Sequence, residues 1–228
     1  MESTQQPHGQ SSGEWATKHV LAKEVRAVFS LKSTDYITRL GGLAATLGGL
    51  MFVIKGGGII ITGIQPPVVF EIAPPFFAIG LIGLYAQVKE RSKRLSKAGF
   101  FLAAVACIAW VAAIPYGLFS ENGFSSSEEF ASPQSLLILG GCLTTLCGLV
   151  LLGVASLRAG ILPPRWRALP LAMGVLALPL MGLGGALEPL WERYFEIPIV
   201  VLGFAWIALG YLVWRSVGMK AQRPQLGT

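Results

Sequence analysis

The chain has 228 residues, of which 53% are hydrophobic and only 13% are charged, and its mean hydropathy is +0.62. This composition excludes a water-soluble globular domain, a disordered chain, a coiled coil and a disulfide-stapled secreted module. Although the formal net charge is +6, so apolar a chain is not expected to be a soluble nucleic-acid-binding protein. The sequence therefore predicts a polytopic integral membrane protein.

The first 38 residues form a tail that we expect to lie in the cytoplasm. Residues 1–13 are polar and rich in Gln, Ser and Gly, a composition typical of disorder. From residue 14 onward, apolar side chains recur at helical spacing with basic residues off the stripe, which comprises Trp15, Leu21, Val25, Val28 and Phe29. This pattern predicts an amphipathic helix on the inner leaflet, held by anionic lipid headgroups. A helix docked on the cytoplasmic ends of the bundle would show the same pattern.

Six apolar runs follow the tail, and each is close to the about 20 residues that cross the hydrocarbon core as a helix. They cover residues 40–64, 68–88, 98–119, 135–157, 169–187 and 197–214. The runs predict an all-α fold, a six-helix transmembrane bundle over residues 39–220, with a cytoplasmic C-terminal tail at 221–228. Prolines inside the second, third and fifth runs should bend those helices.

The distribution of charge orients this bundle. Of the 18 Lys and Arg residues, 16 lie before the first run, between runs two and three, between runs four and five, or after run six. Short loops rich in Lys and Arg stay in the cytoplasm, so six spans place both termini there, whereas five or seven spans would scramble the pattern. Seven of the 12 acidic residues lie on the opposite side.

Lys55 is the most informative single residue, because it falls inside the outer half of the first run. An ionisable group within a membrane span is a candidate functional residue and needs a partner. Glu71, just inside the second run, is the nearest candidate in the sequence. The alternative is that Lys55 extends its long side chain outward to water, or that the first span ends near Ile54.

Other charged and aromatic residues flank the same outer ends of the runs. Together with Lys55 they form a candidate outward-facing vestibule that comprises Glu71, Tyr116, Glu188, Glu192, Arg193 and Glu196. A solvated rim with an aromatic belt would explain the same residues. The three cysteines, Cys107, Cys142 and Cys147, all fall within predicted spans and are not expected to form a local disulfide.

A self-comparison at a shift of 99 residues suggests an internal repeat. Residues 40–52 match residues 139–151 at seven of thirteen positions, mostly at glycine, threonine and leucine. Because each half would contain three spans, the halves would be inverted in the membrane, as in many secondary transporters. Chance similarity between apolar segments is the alternative. Most of the glycines within the runs are expected to be helix-packing surfaces.

Catalytic chemistry has little support in the sequence. The only histidines are His8 and His19 in the tail, so no histidine within the spans can hold haem, bind zinc or act as a general base. No nucleophile elbow, zinc-protease motif, Walker A loop or dinucleotide fingerprint is present. We therefore expect no enzyme, no cofactor and no metal.

The glycine-rich first and fourth runs and the basic connector Leu-Pro-Pro-Arg-Trp at residues 162–166 carry one generic resemblance. The chain resembles uncharacterised six-span bacterial inner-membrane proteins, which implies a multi-pass location in the plasma membrane and no particular activity. Its biochemical function stays unassigned; the alternatives are a small-molecule or ion permease with inverted halves and a non-catalytic membrane partner or sensor. The expected partners are the lipid bilayer and anionic lipid at the cytoplasmic face, with a second copy or another protein as further alternatives and no nucleic acid.

Overall fold

The computed structural model describes residues 12–64, 69–119 and 132–222, and it describes side chains for residues 33–64, 72–115, 132–191 and 193–217. The described residues form helices and no strand, which confirms the predicted all-α fold. Within them the six α-helices are α1 (Ser12–Thr62), α2 (Val69–Val88), α3 (Lys93–Phe119), α4 (Pro133–Ala159), α5 (Leu169–Leu187) and α6 (Glu196–Gln222). Three short 3-10 helices, at Pro164–Trp166, Glu188–Leu190 and Glu192–Phe195, lie in the connections before and after α5.

Five of these helices are long and apolar enough to cross a membrane. The sixth, α2, has 20 residues, about 30 Å at the standard helical rise, and its described apolar stretch is Ile72–Val88. The predicted amphipathic segment is the first part of α1, because α1 runs from Ser12 to Thr62 without a break. The side chains of its apolar stripe lie outside the described residues.

The ends of α4 show why the helices begin and end where they do. Ser132 is extended and its side chain accepts a hydrogen bond from the Ser135 backbone N–H, while Pro133 occupies the first turn, where no backbone donor is needed. At the other end Gly160 adopts a left-handed conformation (φ 58°), and its N–H donates to carbonyls of the last turn. These caps place the helix two residues beyond each end of the predicted run at 135–157.

Helix α1 packs mainly against α2 and α6, and α3 packs mainly against α4. Close approach of α1 and α6 depends on glycine, because a Cβ atom on Gly49 would lie 2.5 Å from the Gly203 carbonyl oxygen. Gly41 and Gly83 make a comparable backbone contact between α1 and α2. Without an aqueous driving force between helices, such small-residue contacts supply much of the association in a membrane.

The outer surface of the bundle is apolar, as lipid requires. Large hydrophobic side chains on the spans are exposed, and examples from α3 to α6 are Phe101, Ile108, Leu139, Leu178 and Phe204. A monomeric water-soluble protein rarely exposes so continuous an apolar surface. Together with the five long apolar helices, this surface identifies the chain as a polytopic membrane protein.

Candidate functional site: a cavity walled by all six helices

A cavity of about 280 Å³ lies between the six helices, in the half of the bundle that contains the C-terminal end of α1. We call it the central cavity. Its wall is mostly aromatic and aliphatic, with Phe52, Pro74, Phe77, Trp110, Ile138, Leu149, Met173, Leu178, Phe195, Ile199 and Trp206 among the lining residues. Phe77 stacks on Trp206 at 4.5 Å between ring centroids and meets Phe52 edge-on at 4.7 Å. These ring contacts stiffen one side of the wall.

Most polar atoms on this wall already have partners. The Trp110 indole N–H donates to the Thr145 hydroxyl at 3.1 Å, and the same hydroxyl donates to the Gly141 carbonyl at 2.6 Å. Both residues therefore present mainly their apolar parts to the cavity. The one charged side chain among the described lining residues is Lys55.

Lys55 lies on α1, two turns before the helix ends at Thr62, and only 7% of it is exposed. It is one of the residues that line the central cavity. A buried ammonium in an apolar wall is costly unless an opposite charge or hydrogen-bond acceptors lie nearby. The structure supplies such a charge from α6.

Glu196 is the first residue of α6 and is 8% exposed. Its carboxylate lies close enough to Lys55 for a direct electrostatic interaction. One carboxylate oxygen, Oε2, is buried and has no hydrogen-bond partner among the described residues. The pair therefore carries unused acceptor capacity next to the cavity, at a helix N-terminus where backbone dipoles also favour negative charge.

Gly56 explains how Glu196 reaches this position. A Cβ atom on Gly56 would lie 2.7 Å from a Val200 methyl group and 3.1 Å from the Glu196 carbonyl oxygen. Any side chain at this position would push the first turn of α6 away from α1. The glycine next to Lys55 is thus the local feature that brings the carboxylate to the ammonium.

Arg193 has a different role at the end of α1. Its guanidinium donates to the Ile60 carbonyl at 2.7 Å and lies 5.8 Å from the centre of the Trp191 ring. Trp191 in turn meets Tyr194 edge-on at 5.2 Å. A cation that binds the free carbonyls of a last turn stabilises that helix end. Arg193 therefore attaches the connection between α5 and α6 to α1.

The structure brings together only part of the predicted vestibule. Lys55 and Glu196 are adjacent, Arg193 lies nearby on the same end of α1, and Glu188 is exposed in the short helix after α5. The side chains of Glu71, Tyr116 and Glu192 lie outside the described residues, so the pairing of Lys55 with Glu71 stays a prediction. Among the described residues, no three His, Cys, Asp or Glu side chains form a group that could hold a metal ion.

No protein-family model, no curated protein and no solved structure matches the chain. The described residues support an all-helical protein with five or six long apolar helices.

Proposed function

We propose that the protein is a non-catalytic membrane protein that binds a small organic anion with an aromatic or otherwise apolar body in the central cavity. One observation carries this proposal: Lys55 is the one charged residue among the described residues that line a largely apolar cavity formed by all six helices. Pockets that are lined by apolar side chains and contain one or a few fixed polar groups are typical of small-molecule sites. The ammonium would orient the anionic group, and the rings would bind the rest.

The size of the cavity restricts the ligand. A volume of about 280 Å³ lies at the lower limit of ligand pockets, which range from about 300 to 1,000 Å³. The wall contains two phenylalanines and two tryptophans from the spans, Phe52, Phe77, Trp110 and Trp206. Such a wall favours a single substituted ring, since ring pairs add binding free energy beyond the area that they bury.

Glu196 would balance the charge of Lys55 while the cavity is empty. A bound anion would then share the ammonium with the Glu196 carboxylate, which opposes binding because like charges repel at short range. This arrangement predicts opposite effects of the two charges on affinity: removing Lys55 weakens binding, whereas removing the negative charge of Glu196 strengthens it.

As part of the same proposal, the protein moves this anion across the membrane, and the order of helix neighbours supports two inverted halves. Helix α1 packs against α2 and α6, and its counterpart α4 packs against α5 and α3. Helix α2 also packs against α3, as α5 packs against α6. Exchanging α1 to α3 with α4 to α6 maps each of these pairs onto another, as expected for two related halves. The further contacts of α2 with α4 and α6 have no equally strong counterparts at α5.

We further propose a plasma-membrane location with both termini in the cytoplasm, which the distribution of Lys and Arg supports. Single cysteines introduced as Ser33→Cys and Ser126→Cys, on a background without the three native cysteines, test this orientation. In intact cells a membrane-impermeant maleimide should label position 126 and not position 33. The reverse pattern would invert the bundle and contradict the proposal.

Binding is tested with 4-bromobenzenesulfonate, an always ionised single-ring anion whose bromine quenches tryptophan fluorescence, on protein in phosphatidylcholine nanodiscs. Wild type should show saturable quenching. Lys55→Gln should raise the dissociation constant at least about tenfold, because a hydrogen bond to a charged group contributes about 1.5–3 kcal/mol. Glu196→Gln should lower it.

The neutral isostere 4-bromobenzenesulfonamide and two tryptophan variants provide the controls. The sulfonamide should bind wild type and Lys55→Gln alike. Trp206→Phe should remove part of the quenched signal, whereas Trp191→Phe, outside the cavity, should leave it intact. Equal, non-saturable quenching in wild type and Lys55→Gln would refute the binding site. Binding without uptake of radiolabelled benzenesulfonate into proteoliposomes would refute transport and favour a sensor.

A further inference from the structure

A second pocket lies at the opposite end of the bundle, between the connector from α4 to α5 and the last turns of α6. It has a volume of about 650 Å³, and we call it the connector pocket. Its floor and sides are apolar or aromatic, including Ala208, Tyr211, Leu212 and Trp166, and its charged lining residues are Arg165 and Arg215. It is separate from the central cavity, so this inference does not rest on the proposed function.

The connector is held in a fixed shape by local chemistry. Two consecutive prolines, Pro163 and Pro164, restrict the backbone, and the Trp166 N–H donates to the Pro163 carbonyl at 2.8 Å. The Leu162 side chain is buried in the core, and the Arg167 guanidinium donates to the Leu162 carbonyl at 3.2 Å. The pocket is therefore preformed, which lowers the entropic cost of binding.

The arginines at this pocket differ from other arginines of the bundle. Arg91, Arg167 and Arg193 each donate a hydrogen bond to a backbone carbonyl. Arg165 and Arg215 form no hydrogen bond or ion pair with any described residue, and both are exposed. The Arg165 guanidinium lies 6.0 Å from the centre of the Trp166 ring, a contact that leaves its N–H donors available. Two guanidinium groups at one pocket offer several N–H donors, whose fork geometry matches the oxygens of a phosphate group.

The position of the pocket relative to the spans favours a lipid headgroup over free phosphate as the bound group. Arg215 lies two residues before the end of the span Arg193–Val217, and Trp166 and Tyr211 are 37% and 56% exposed. Basic and aromatic side chains at the end of a span lie at the depth of lipid headgroups. Ala208 and Tyr211 share a face of α6 with Phe204, which is 58% exposed, so an acyl chain can follow the lipid-facing surface of α6 from the pocket.

We propose that the connector pocket binds the headgroup of an anionic glycerophospholipid, with its phosphate on Arg165 and Arg215 and its acyl chains along α6. A zwitterionic lipid is disfavoured because its own ammonium group would meet the same two arginines. Each basic residue near a membrane surface contributes about 1 kcal/mol toward anionic lipid, so the two together should give about a 25-fold preference.

The test is native mass spectrometry of the purified protein titrated with dioleoyl-phosphatidylglycerol or dioleoyl-phosphatidylcholine. Wild type should retain at least one phosphatidylglycerol with a clear preference over phosphatidylcholine. Arg165→Gln and Arg215→Gln should each weaken retention about fivefold, and the double variant should lose the preference. Both side chains are exposed, and the contact of Arg165 with the Trp166 ring is an exposed cation–π pair of small stability, so the variants should fold as wild type does.

Arg94→Gln is the matched control, because Arg94 is also exposed at this end of the bundle but does not line the pocket. Its lipid retention should equal that of wild type. Millimolar inorganic phosphate should not displace the lipid, since phosphate lacks the acyl chains. Equal retention of both lipids by wild type, an unchanged double variant, a loss as large in Arg94→Gln, or displacement by phosphate would each overturn the proposal.

Discussion

Helices α1 and α4 share three glycines at the 99-residue shift, and these glycines meet different neighbours in the two helices. In α1 the glycines meet backbone: Gly42 lies against the Gly210 carbonyl, and Gly49 lies against Gly203. In α4 the counterpart Gly141 meets the Trp110 ring, and Gly140 has open space around it. The partner helix decides how closely the backbones approach. Helix α6 has Gly203 and Gly210 at the contact, whereas the corresponding positions of α3 under the 99-residue shift are Ala104 and Val111. A small-residue pattern therefore predicts the capacity for close approach and leaves the contact itself undetermined.

The bundle therefore has two unlike helix contacts, a close one between α1 and α6, which we call the tight seam, and a more open one between α3 and α4, which we call the loose seam. The tight seam between α1 and α6 ends at Gly56, where it brings Glu196 to Lys55. Helix α4 meets α5 closely at Gly153, where a Cβ atom would lie 2.6 Å from the Leu171 nitrogen. Its side toward α3 is less closely packed, and α4 lines the central cavity from Ile138 to Leu149. Lys55 has no charged counterpart in α4, because the equivalent position is Val154. The following variants test whether the two helices differ as described.

The largest effect is expected from Lys55→Leu, which leaves the buried Glu196 carboxylate without its cation. Breaking a buried pair from one side costs about 3 kcal/mol or more, whereas removing both charges is much less costly. The double variant Lys55→Leu/Glu196→Leu should therefore recover most of the lost stability, measured by unfolding in mixed micelles. Val154→Leu, at the position of α4 that corresponds to Lys55 under the 99-residue shift, adds one methylene to a half-buried side chain and should cost about 1 kcal/mol, the lower end for such changes.

A double variant as unstable as the sum of its single changes would refute the coupling of Lys55 with Glu196. The same cycle with Glu71→Leu tests the pairing predicted from the sequence. If Glu71→Leu rather than Glu196→Leu restores the stability lost in Lys55→Leu, Lys55 pairs mainly with Glu71, as predicted from the sequence, and its interaction with Glu196 is the weaker one.

A smaller loss is expected from adding one methyl group to the tight seam. Gly49→Ala and Gly203→Ala each place a Cβ atom within 3 Å of backbone on the other helix, and such overpacking costs about 1–3 kcal/mol. Gly140→Ala and Gly182→Ala are the controls, because a Cβ atom at either position meets nothing within 4 Å. In thermal unfolding, the two seam variants should have clearly lower melting temperatures than the two control variants. Equal melting temperatures in all four would contradict the close packing of the tight seam.

The next prediction concerns the rate at which a reagent modifies Cys142, which lines the central cavity from α4. On a background without Cys107 and Cys147, a small methanethiosulfonate reagent should modify Cys142. At ten times its dissociation constant, 4-bromobenzenesulfonate should slow this reaction about tenfold, since only the empty fraction reacts. With Cys147 as the single cysteine, exposed on the outer surface, the anion should change nothing. Equal protection at both positions would point to a non-specific effect.

The smallest change concerns the hydrogen bond between α3 and α4. Trp110→Phe removes the indole N–H that donates to Thr145, which should cost about 1 kcal/mol for the hydrogen bond, in addition to the smaller ring volume. The equivalent threonine of α1, Thr46, donates only to the Gly42 carbonyl of its own helix, so Thr46→Ala should cost less. A larger loss for Thr46→Ala would show that polar contacts also stabilise the tight seam.

The sequence predicts the helices well because composition over about 20 residues determines a membrane span. The run at 197–214 became α6, Glu196–Gln222, which is longer because a helix continues past the apolar core into charged residues such as Arg215. The approach of Glu196 to Lys55 could not be predicted from such local patterns, and the pairing of Lys55 with Glu71 stays a prediction. Glu71 was the nearest acid along the chain, whereas Glu196 reaches Lys55 through an interhelical approach that depends on Gly56. Likewise, nothing in the local pattern of α4 distinguishes open glycines from packed ones.

Helix α2 has a consequence for where prolines can lie within the membrane. It packs against α1, α3, α4 and α6, and Pro74 and Pro75, which lie inside it, are both buried. A proline lacks the backbone N–H, so the carbonyl four residues earlier loses its helical partner. Such a carbonyl is costly against lipid, whereas a helix enclosed by its neighbours tolerates it. The enclosed position of α2 therefore lets two consecutive prolines occupy a membrane span.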